Sequence, residues 1–347
     1  MVSAAAFSRF REQRYFGSLD GLRALSIIAV IWSHTAPSWT GAAGAETGAN
    51  GVTLFFAISG FLITTLLLRE RERHGSIDLK AFYLRRTLRI FPLYYAVLLI
   101  YLIAVLTFEN GTEAGEDFFS NLKYFATYTS NLFVPLDGRV IFFFAWSLAT
   151  EEQFYLIWPP LMILLGSQGR ALTLLGLVMA ICVLAQWANN PWAGIVPIAI
   201  TGGCALAILL HSEKGYALCH TVLGHSASGL AILALLVPAL VWPALPDTLV
   251  HVLCVALVGA CVMRESHLLS GLLRCRLLAY IGTVSYGMYL FHMLCKNLMI
   301  RILGALNLEQ EGLALFFSTL ALVVLVAGLS YRYFESFFLR LKLGLAR

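Results

Sequence analysis

Three of the ionisable side chains inside the long apolar segments of this sequence stand out, because their types suit acid–base chemistry. His34 lies near the end of the first apolar segment, residues 22–39. Glu151 and Glu152 lie in the fourth apolar segment, residues 143–165. An ionisable group at membrane depth is costly, so such residues mark a functional site by default. These three residues are therefore the predicted catalytic groups.

A histidine paired with a carboxylate predicts general-base chemistry. We expect His34 and Glu151 to lie at similar depth, because the first segment leaves the membrane on the side where the fourth enters it. A carboxylate beside an imidazole holds one tautomer and leaves the other ring nitrogen as the base. Such a base can take the proton of a hydroxyl group. A buried polar pair that only locks two helices together is the alternative interpretation.

Arg23 begins the same apolar segment that His34 ends. The two are eleven residues apart, which at about 3.6 residues per turn is close to three turns, so they share one helix face. A rise of about 1.5 Å per residue separates them by roughly 16 Å along the helix axis. The first helix is therefore expected to carry a cation at one end and an imidazole at the other.

A basic cluster precedes the third apolar segment, residues 90–108. Arg86 and Arg89 are three residues apart and so share a helix face. The forked donors of guanidinium match phosphate oxygens, so the two arginines predict a phosphate site. Ordinary cationic flanking on the cytoplasmic side of a span is the alternative. Pro92 restricts Phe91 to an extended conformation and predicts a bend or break there.

Two further places carry weaker signals. Ser59 and Gly60 interrupt an otherwise bulky second segment, which suits either a close helix approach or a ligand held against the backbone. Tyr289 and His292, in the ninth segment, suit either substrate contact at the outer mouth of a cavity or polar contacts between helices. All four are therefore candidate binding residues with a purely structural alternative.

The composition is typical of an all-α polytopic membrane protein. Apolar residues form 59% of the 347 residues and charged residues 12%, whereas a soluble domain carries about 25%. The net charge of +5 does not indicate a nucleic-acid partner, because the basic residues are distributed by loop. The seven cysteines are scattered and show no spacing typical of a zinc site or a disulfide framework. We expect no metal site.

Ten apolar segments are candidate membrane spans, for which roughly 17 to 25 residues are needed. Arginine and lysine concentrate in alternate loops, so the positive-inside rule predicts that both termini are cytoplasmic. Lys296 and Arg301, near the outer end of the ninth span, are exceptions. We expect one integral membrane domain, with its core at about 17–337, and no soluble domain. The ten segments are residues 22–39, 51–68, 90–108, 143–165, 171–187, 193–210, 230–242, 248–263, 277–298 and 313–331.

One long external loop is predicted, residues 109–139, and it is acidic. Its stretch of residues 118–134 is aromatic and weakly amphipathic. The stretch therefore either lies on or re-enters the membrane, or forms an ordered external loop.

Five motifs, in order over nearly the whole chain, resemble those of the acyltransferase 3 family of integral membrane acyltransferases. One departure lies near the end, where many members have glutamate, a basic residue and proline and this chain has Glu335, Ser336 and Phe337. The departure concerns a local turn and leaves the groups suited to chemistry in place. The motifs are Arg23 and His34 with ten residues between them, residues 55–63 (FFAISGFLI), residues 86–92 (RTLRIFP), residues 146–155 (WSLATEEQFY) and residues 285–292 (SYGMYLFH).

The resemblance implies transfer of an acyl group, usually acetyl, from cytoplasmic acyl-CoA to a hydroxyl group. The implied acceptors are sugars of surface polysaccharide, lipopolysaccharide or another glycan, or small molecules, and the implied location is a bacterial cytoplasmic membrane. His34 is implied as the base or a transient acyl carrier, oriented by Glu151 or Glu152. The oligomeric state stays open. The implied donor-binding residues are Arg23, Arg86, Arg89, Ser59 and Gly60, and the implied acceptor-binding residues are Trp146, Ser147, Tyr155, Tyr289 and His292.

A proton-coupled transporter or flippase is the alternative function. In such a protein His34 and Glu151 would form a proton relay. The sequence shows no internal repeat of the kind common in transporters. A transporter would move its substrate without consuming acyl-CoA, and a membrane scaffold would leave the arginine, histidine and glutamate residues without a role.

Overall fold

A computed structural model describes residues 4–37, 40–135, 138–188, 196–241 and 246–344. In these ranges the chain forms sixteen α-helices and one π-helical turn, and no β-strand. The predicted all-α fold is therefore confirmed. The helices are α1 Ala4–Glu12, α2 Gly17–Thr35, α3 Gly41–His74, α4 Leu79–Phe108, α5 Glu113–Ala126, α6 Ser130–Phe133, α7 Ala145–Leu165, α8 Gln168–Trp187, α9 Ile198–Leu210, α10 Glu213–Leu223, α11 Ser228–Val241, α12 Asp247–Met263, α13 Ser270–Leu273, α14 Arg276–Ala305, α15 Gly312–Ser330 and α16 Ser336–Gly344, with the π-helical turn at Tyr331–Glu335.

In the described part of the chain, five helices are long and apolar enough to cross a membrane, or up to seven spans if each of two bent helix pairs counts as one. The bent pairs are α1 with α2, at 63°, and α10 with α11, at 67°. Every predicted apolar segment contains a helix, but α9 and α12 have only 13 and 17 residues. The count of ten and the cytoplasmic termini stay predictions. The predicted span positions 38, 39, 193–195 and 242 lie outside the described residues.

The connection between α3 and α4 shows how the sequence sets the helix ends. Gly75 follows α3 in the left-handed region, with a φ of 75°, where a residue without Cβ is unstrained. Its N–H donates to the Arg71 carbonyl oxygen. Asp78 is the N-cap of α4, and its side chain accepts a hydrogen bond from the Ala81 N–H at 2.9 Å. A short, capped turn therefore connects the two long helices along the chain.

Helix α4 corrects one prediction, because it continues through Pro92 from Leu79 to Phe108. Phe91 is helical rather than extended. Its ring packs against the rings of Tyr95 and Tyr128, with centroid distances of 5.7 and 5.2 Å. Packing of this kind outweighs the local preference of the residue before a proline. Arg86 and Arg89 consequently lie on one continuous helix.

The chain divides into two compact units. The first contains residues 1–75 and 167–328, and the second contains residues 76–166 and 329–347. The second unit is therefore assembled from the middle of the chain and its C-terminal end. The expectation of a single integral membrane domain stays a prediction.

The first unit is organised around α3, a mostly buried helix that contacts α2, α9 and α12. Glycines permit the closest of these contacts. A Cβ at Gly60 would lie 2.0 Å from the Ile200 carbonyl oxygen, and a Cβ at Gly203 would lie 2.3 Å from the Ala57 carbonyl oxygen. The two glycines therefore let α3 and α9 meet backbone to backbone.

Helices α2 and α14 form a second close pair in the first unit. A Cβ at Gly282 would lie 2.0 Å from the Asp20 carbonyl oxygen. Nearby, the Ser18 hydroxyl oxygen and His267 Nε2 lie 2.9 Å apart, and both side chains are buried. Burial, with a contribution from the Arg274 charge, lowers the pKa of His267. The N-terminal end of α2 is therefore held by a helix crossing and by a hydrogen bond.

The second unit packs aromatic side chains of α4 against the C-terminal end of α5 and the residues just after it. The Tyr94 hydroxyl donates to the Phe125 carbonyl oxygen and the Tyr95 hydroxyl to the Ala126 carbonyl oxygen, both at 2.8 Å. The Tyr94 ring also stacks on Tyr128 with a centroid distance of 4.2 Å. These contacts fix the C-terminal end of α5 on α4.

The stretch of residues 118–134, for which two arrangements were open, is largely helical. Thr112 caps α5, because its hydroxyl oxygen accepts a hydrogen bond from the Gly115 N–H at 3.1 Å. The Arg139 guanidinium donates two hydrogen bonds, of 3.1 and 2.5 Å, to the Glu109 carboxylate. These bonds join the two ends of the predicted loop, residues 109–139. The stretch is therefore ordered, and its position relative to the bilayer stays a prediction.

The substitution Gly60→Ala is expected to lower the thermal unfolding temperature of the protein in detergent, because the added Cβ must push α9 away from α3. Overpacking of this kind costs about 1–3 kcal/mol of unfolding free energy. Gly176→Ala on α8 is the matched control, since a Cβ there meets no atom within 4 Å. Equal unfolding temperatures for the two variants would contradict the close crossing.

Candidate active site

Two histidines of the first unit meet ring to ring. The centroids of the His34 and His292 imidazoles lie 5.2 Å apart and the ring planes are inclined by 27°, so the rings are stacked. His34 is the last residue but one of α2, and His292 lies near the middle of α14. We call these two side chains the histidine pair. The sequence pointed to each residue separately and not to their contact.

His292 is the fixed member of the histidine pair. Its side chain is only 1% exposed. Its Nδ1 lies 2.5 Å from the Tyr289 carbonyl oxygen, and because a carbonyl oxygen can only accept, this nitrogen is the donor and carries the proton. The Tyr289 ring packs against the imidazole at a centroid distance of 5.6 Å. These contacts select one tautomer and one ring orientation for His292.

An aromatic contact and a lysine border the histidine pair. The Tyr289 ring packs edge-on against Phe55 of α3, with a centroid distance of 6.5 Å. Lys296 follows His292 by one helical turn, and its charge acts on both imidazoles. The pair therefore lies in surroundings that are mostly apolar but carry a cation within reach.

Arg23 lies on α2 with His34, on one unbroken helix as the sequence predicted. Its guanidinium forms an ion pair with Asp20, with Nη1 and Oδ1 2.7 Å apart. The other carboxylate oxygen of Asp20 accepts a hydrogen bond from the Tyr15 hydroxyl. Asp20 thus orients Arg23, and a phosphate bound by Arg23 would share the guanidinium with this carboxylate.

Ser59 and Gly60 lie at the crossing of α3 and α9. The space that a side chain of Gly60 would occupy is filled by the backbone of Ile200. Ser59, one residue earlier, is partly exposed. Of the two roles left open for Gly60, the structure shows the close helix approach. Donor binding at these two residues stays a prediction.

In the second unit, α7 carries the two glutamates. The Tyr155 hydroxyl donates to Glu151 Oε1, one turn earlier on the same helix. The Arg86 guanidinium carbon of α4 lies 4.8 Å from the centroid of the Tyr155 ring. The charges of Glu151 and Arg86 both act on Glu152. We call Arg86, Glu151, Glu152 and Tyr155 the carboxylate cluster. It joins a predicted donor residue, both predicted catalytic carboxylates and a predicted acceptor residue.

Trp146 and Ser147 lie in the first turn of α7. Ser147 is buried, and its hydroxyl donates to the Phe144 carbonyl oxygen at 3.1 Å. Trp146 is partly exposed, and its carbonyl oxygen accepts a hydrogen bond from the Thr150 hydroxyl at 3.0 Å. Ser147 is therefore engaged with its own helix end, whereas Trp146 is partly exposed.

Gln153 fixes α7 beside the glutamates. Its side-chain amide nitrogen donates to the Tyr128 carbonyl oxygen at 2.8 Å. Its amide also exchanges two hydrogen bonds with the amide of Asn131, at 2.8 and 3.1 Å. The position of Glu151 and Glu152 thus depends on the ordered segment that follows α5.

Arg89, three residues after Arg86, has a carboxylate neighbour of its own. Its charge acts on Glu335, in the π-helical turn. The Ser330 hydroxyl donates to Glu335 at 3.4 Å. Glu335 is the acidic residue that this chain retains where it otherwise departs from the late family motif. The Arg89 charge therefore has an acidic neighbour within the second unit.

The structure distributes the predicted site residues over the two units. Glu151 and Glu152 belong to a different unit from His34, and their pairing with His34 stays a prediction. Among the described residues, no group of three or more His, Cys, Asp or Glu side chains suits a metal ion. The first unit holds Arg23, His34, Ser59, Gly60, Tyr289 and His292, and the second holds Arg86, Arg89, Trp146, Ser147, Glu151, Glu152 and Tyr155.

Three residues were missed as parts of the site, and helical spacing points to two of them. Asp20 precedes Arg23 by three residues, a spacing typical of an ion pair on one helix face. Lys296 follows His292 by four residues and so shares its face. Gln153 gave no such signal, because its partners lie in a segment far from it in sequence.

Comparisons with known proteins identify the family of this chain. A family model described as an acyltransferase domain matches residues 16–332. The peptidoglycan O-acetyltransferase OatA of Listeria monocytogenes is 30% identical over 363 aligned positions, which cover 94% of this chain and 56% of that protein. A Bacillus subtilis protein that is named provisionally as a peptidoglycan O-acetyltransferase is 28% identical over 319 positions, or 82% of this chain and 49% of that protein.

The chain spans about half the length of the curated relatives it matches. No solved structure is significantly similar to it. The matched residues 16–332 make up most of the chain and include every predicted site residue in both units. On this basis, the chain belongs to the acyltransferase 3 family.

Proposed function

We propose that the protein is a membrane O-acyltransferase that moves an acyl group, normally acetyl, from cytoplasmic acyl-CoA to a hydroxyl group of a glycan. The family match and the O-acetyltransferase names of the relatives support the reaction class. The single observation that carries the proposal is the histidine pair, two imidazoles stacked 5.2 Å apart within apolar helices. An imidazole is the side chain best suited to accept a proton near neutral pH.

His34 acts as the general base in this proposal. A ring nitrogen of His34 takes the proton of the acceptor hydroxyl as the hydroxyl oxygen attacks the thioester carbonyl carbon. The carbon–sulfur bond breaks, the CoA thiolate leaves, and the proton passes from His34 to the thiolate. In a second route, His34 itself carries the acyl group for a time before the hydroxyl attacks. Both routes require His34, so one substitution tests both.

Glu151 or Glu152 is the proposed carboxylate partner of His34. The support is chemical, because a carboxylate beside an imidazole fixes the tautomer and orientation that a base needs. Contacts within the carboxylate cluster hold the two glutamates in place in the second unit. The Tyr155 hydroxyl and the Arg86 guanidinium give these glutamates the polar partners that a buried carboxylate requires.

Donor binding is proposed for a set of arginines and for the crossing of α3 with α9. Guanidinium groups suit the phosphates of CoA, because their forked donors match phosphate oxygens. Arg23 and His34 share α2, and the helix rise separates them by roughly 16 Å. The thin pantetheine arm of CoA can bridge that distance. The proposed donor residues are Arg23, Arg86, Arg89, Ser59 and Gly60.

The proposed acceptor is a sugar hydroxyl of a cell-envelope glycan. Two relatives are named for peptidoglycan O-acetylation, and peptidoglycan is the first acceptor to test. Sugar binding requires a few placed polar groups together with aromatic surfaces. The proposed acceptor residues are Trp146, Ser147, Tyr155 and Tyr289; His292, the remaining acceptor candidate of the sequence, is only 1% exposed.

Ten spans with both termini cytoplasmic are the proposed arrangement in the bacterial cytoplasmic membrane. The alternation of basic loops supports the orientation. In the part of the chain that the structure describes, five to seven spans meet the requirements of length and apolarity, and α9 and α12 are shorter apolar helices. This arrangement places Arg86 and Arg89 on the side of the membrane where acyl-CoA is made.

The substitution His34→Ala is expected to reduce acyl transfer at least about a hundredfold, because it removes the base. Membrane vesicles that hold the protein are given acetyl-CoA labelled in the acetyl group, and the label is followed into peptidoglycan and other envelope glycans. His251→Ala on α12 is the matched histidine control and should retain activity. Retained transfer in His34→Ala would overturn the proposal, and substrate movement without consumption of acetyl-CoA would favour a transporter.

The substitution Arg86→Gln is expected to raise the KM for acetyl-CoA about tenfold, because one charge-assisted phosphate contact is lost. The discriminating donor is acetyl-pantetheine, which lacks the nucleotide phosphates and whose KM should not change. Lys80→Gln, at an exposed cation of the same helix, is the control. An equal rise in KM for both donors would mean that Arg86 acts only through the carboxylate cluster. That result would contradict its role in donor binding.

A further inference from the structure

We propose that His292 is a positioning residue that holds the imidazole of His34 in the orientation from which His34 acts. The role rests on the proposed function and differs from the acceptor contact that the sequence suggested for His292. Three features of the first unit carry it: the place of His34 on its helix, the fixed state of His292, and the packing of the two helices that bear them.

The position of His34 on α2 makes its ring orientation depend on side-chain contacts. It is the last residue but one of α2, and Ala36 and Pro37 follow the helix end. Rotation of an imidazole about its bond to Cβ is only weakly restricted. The helix backbone therefore fixes the Cα of His34, and contacts of the side chain fix the plane of its ring. A general base must bring its nitrogen within about 3 Å of the proton that it takes, so neighbouring groups must set that plane.

His292 supplies this support and has little freedom of its own. It is 1% exposed, and its Nδ1 donates to the Tyr289 carbonyl oxygen at 2.5 Å. The Tyr289 ring covers another part of the imidazole, at a centroid distance of 5.6 Å. His292 therefore presents one fixed face to His34, at 5.2 Å and 27°. Stacking on a fixed ring restricts the His34 ring to a narrow range of planes.

The helices that bear the two rings are fixed at a second point. Gly282 of α14 lies against the Asp20 carbonyl oxygen of α2, where no side chain would fit. His34 comes fourteen residues after Asp20, and His292 comes ten residues after Gly282. The two helices therefore run in the same direction and meet again at the histidine pair. Contacts toward both ends limit the sliding and rotation that would separate the rings.

The test compares three substitutions of His292 in the full-length protein, assayed for transfer from acetyl-CoA. His292→Ala is expected to lower kcat about 10- to 100-fold, as misorientation of a catalytic group does, with both KM values within about twofold of wild type. His292→Phe should recover most of the lost kcat, because its flat ring can stack on His34 without any ring nitrogen. His292→Leu fills similar space without a flat ring and should stay slow.

Cys295→Ala is the matched control, because Cys295 is a buried residue on the next turn of α14. It should lose some packing but keep kcat. If His292→Ala does not fold, the comparison of kcat between His292→Phe and His292→Leu still tests the positioning role. Equal kcat values in those two variants, or a raised KM for the acceptor with kcat preserved, would overturn the positioning role. A wild-type protein that transfers no acyl group would instead overturn the proposed function, before any variant is compared.

Discussion

The free-energy cost of an unpaired polar group among apolar helices is the constraint on which the rest of this structure depends. Such a group loses its contacts with water and must find a partner within the protein. Ser147, His292 and Arg23 meet this requirement in the same way, since each bonds to a group three positions earlier on its own helix or helix end. Local bonds of this kind orient each side chain from within its own helix or helix end.

Packing then sets the distances between these groups, and glycine is what permits it. Gly60 and Gly203 let α3 and α9 approach backbone to backbone, and Gly282 does the same for α14 against α2. Helix association among apolar surroundings has little hydrophobic driving force, so close van der Waals contact carries more of it. The ring stack of His34 and His292 is possible because the helices that bear them already lie this close.

The sequence predicts what one helix alone decides. The spacing of Arg23 and His34 was predictable, because α2 is regular over all the residues between them. The prediction of a bend or break at Pro92 was wrong, because aromatic packing around α4 outweighs the local preference for a break. The histidine pair joins residues 258 positions apart, and no periodicity relates residues on two different helices. For Gly60 the sequence allowed two roles, and the choice required the position of α9.

In the proposed reaction, the regularity of α2 has a chemical consequence. Near its start Asp20 holds the Arg23 guanidinium, and near its end His292 holds the His34 ring. Because α2 is regular and α14 contacts it toward both ends, the distance between the Cα atoms of Arg23 and His34 is set by the helix rise. A donor whose phosphate is held by Arg23 must therefore reach His34 with an arm of matching length. The length of the arm then determines which atom of the donor lies beside the base. The reacting carbon is selected by this distance and not by a deep pocket for the acyl chain.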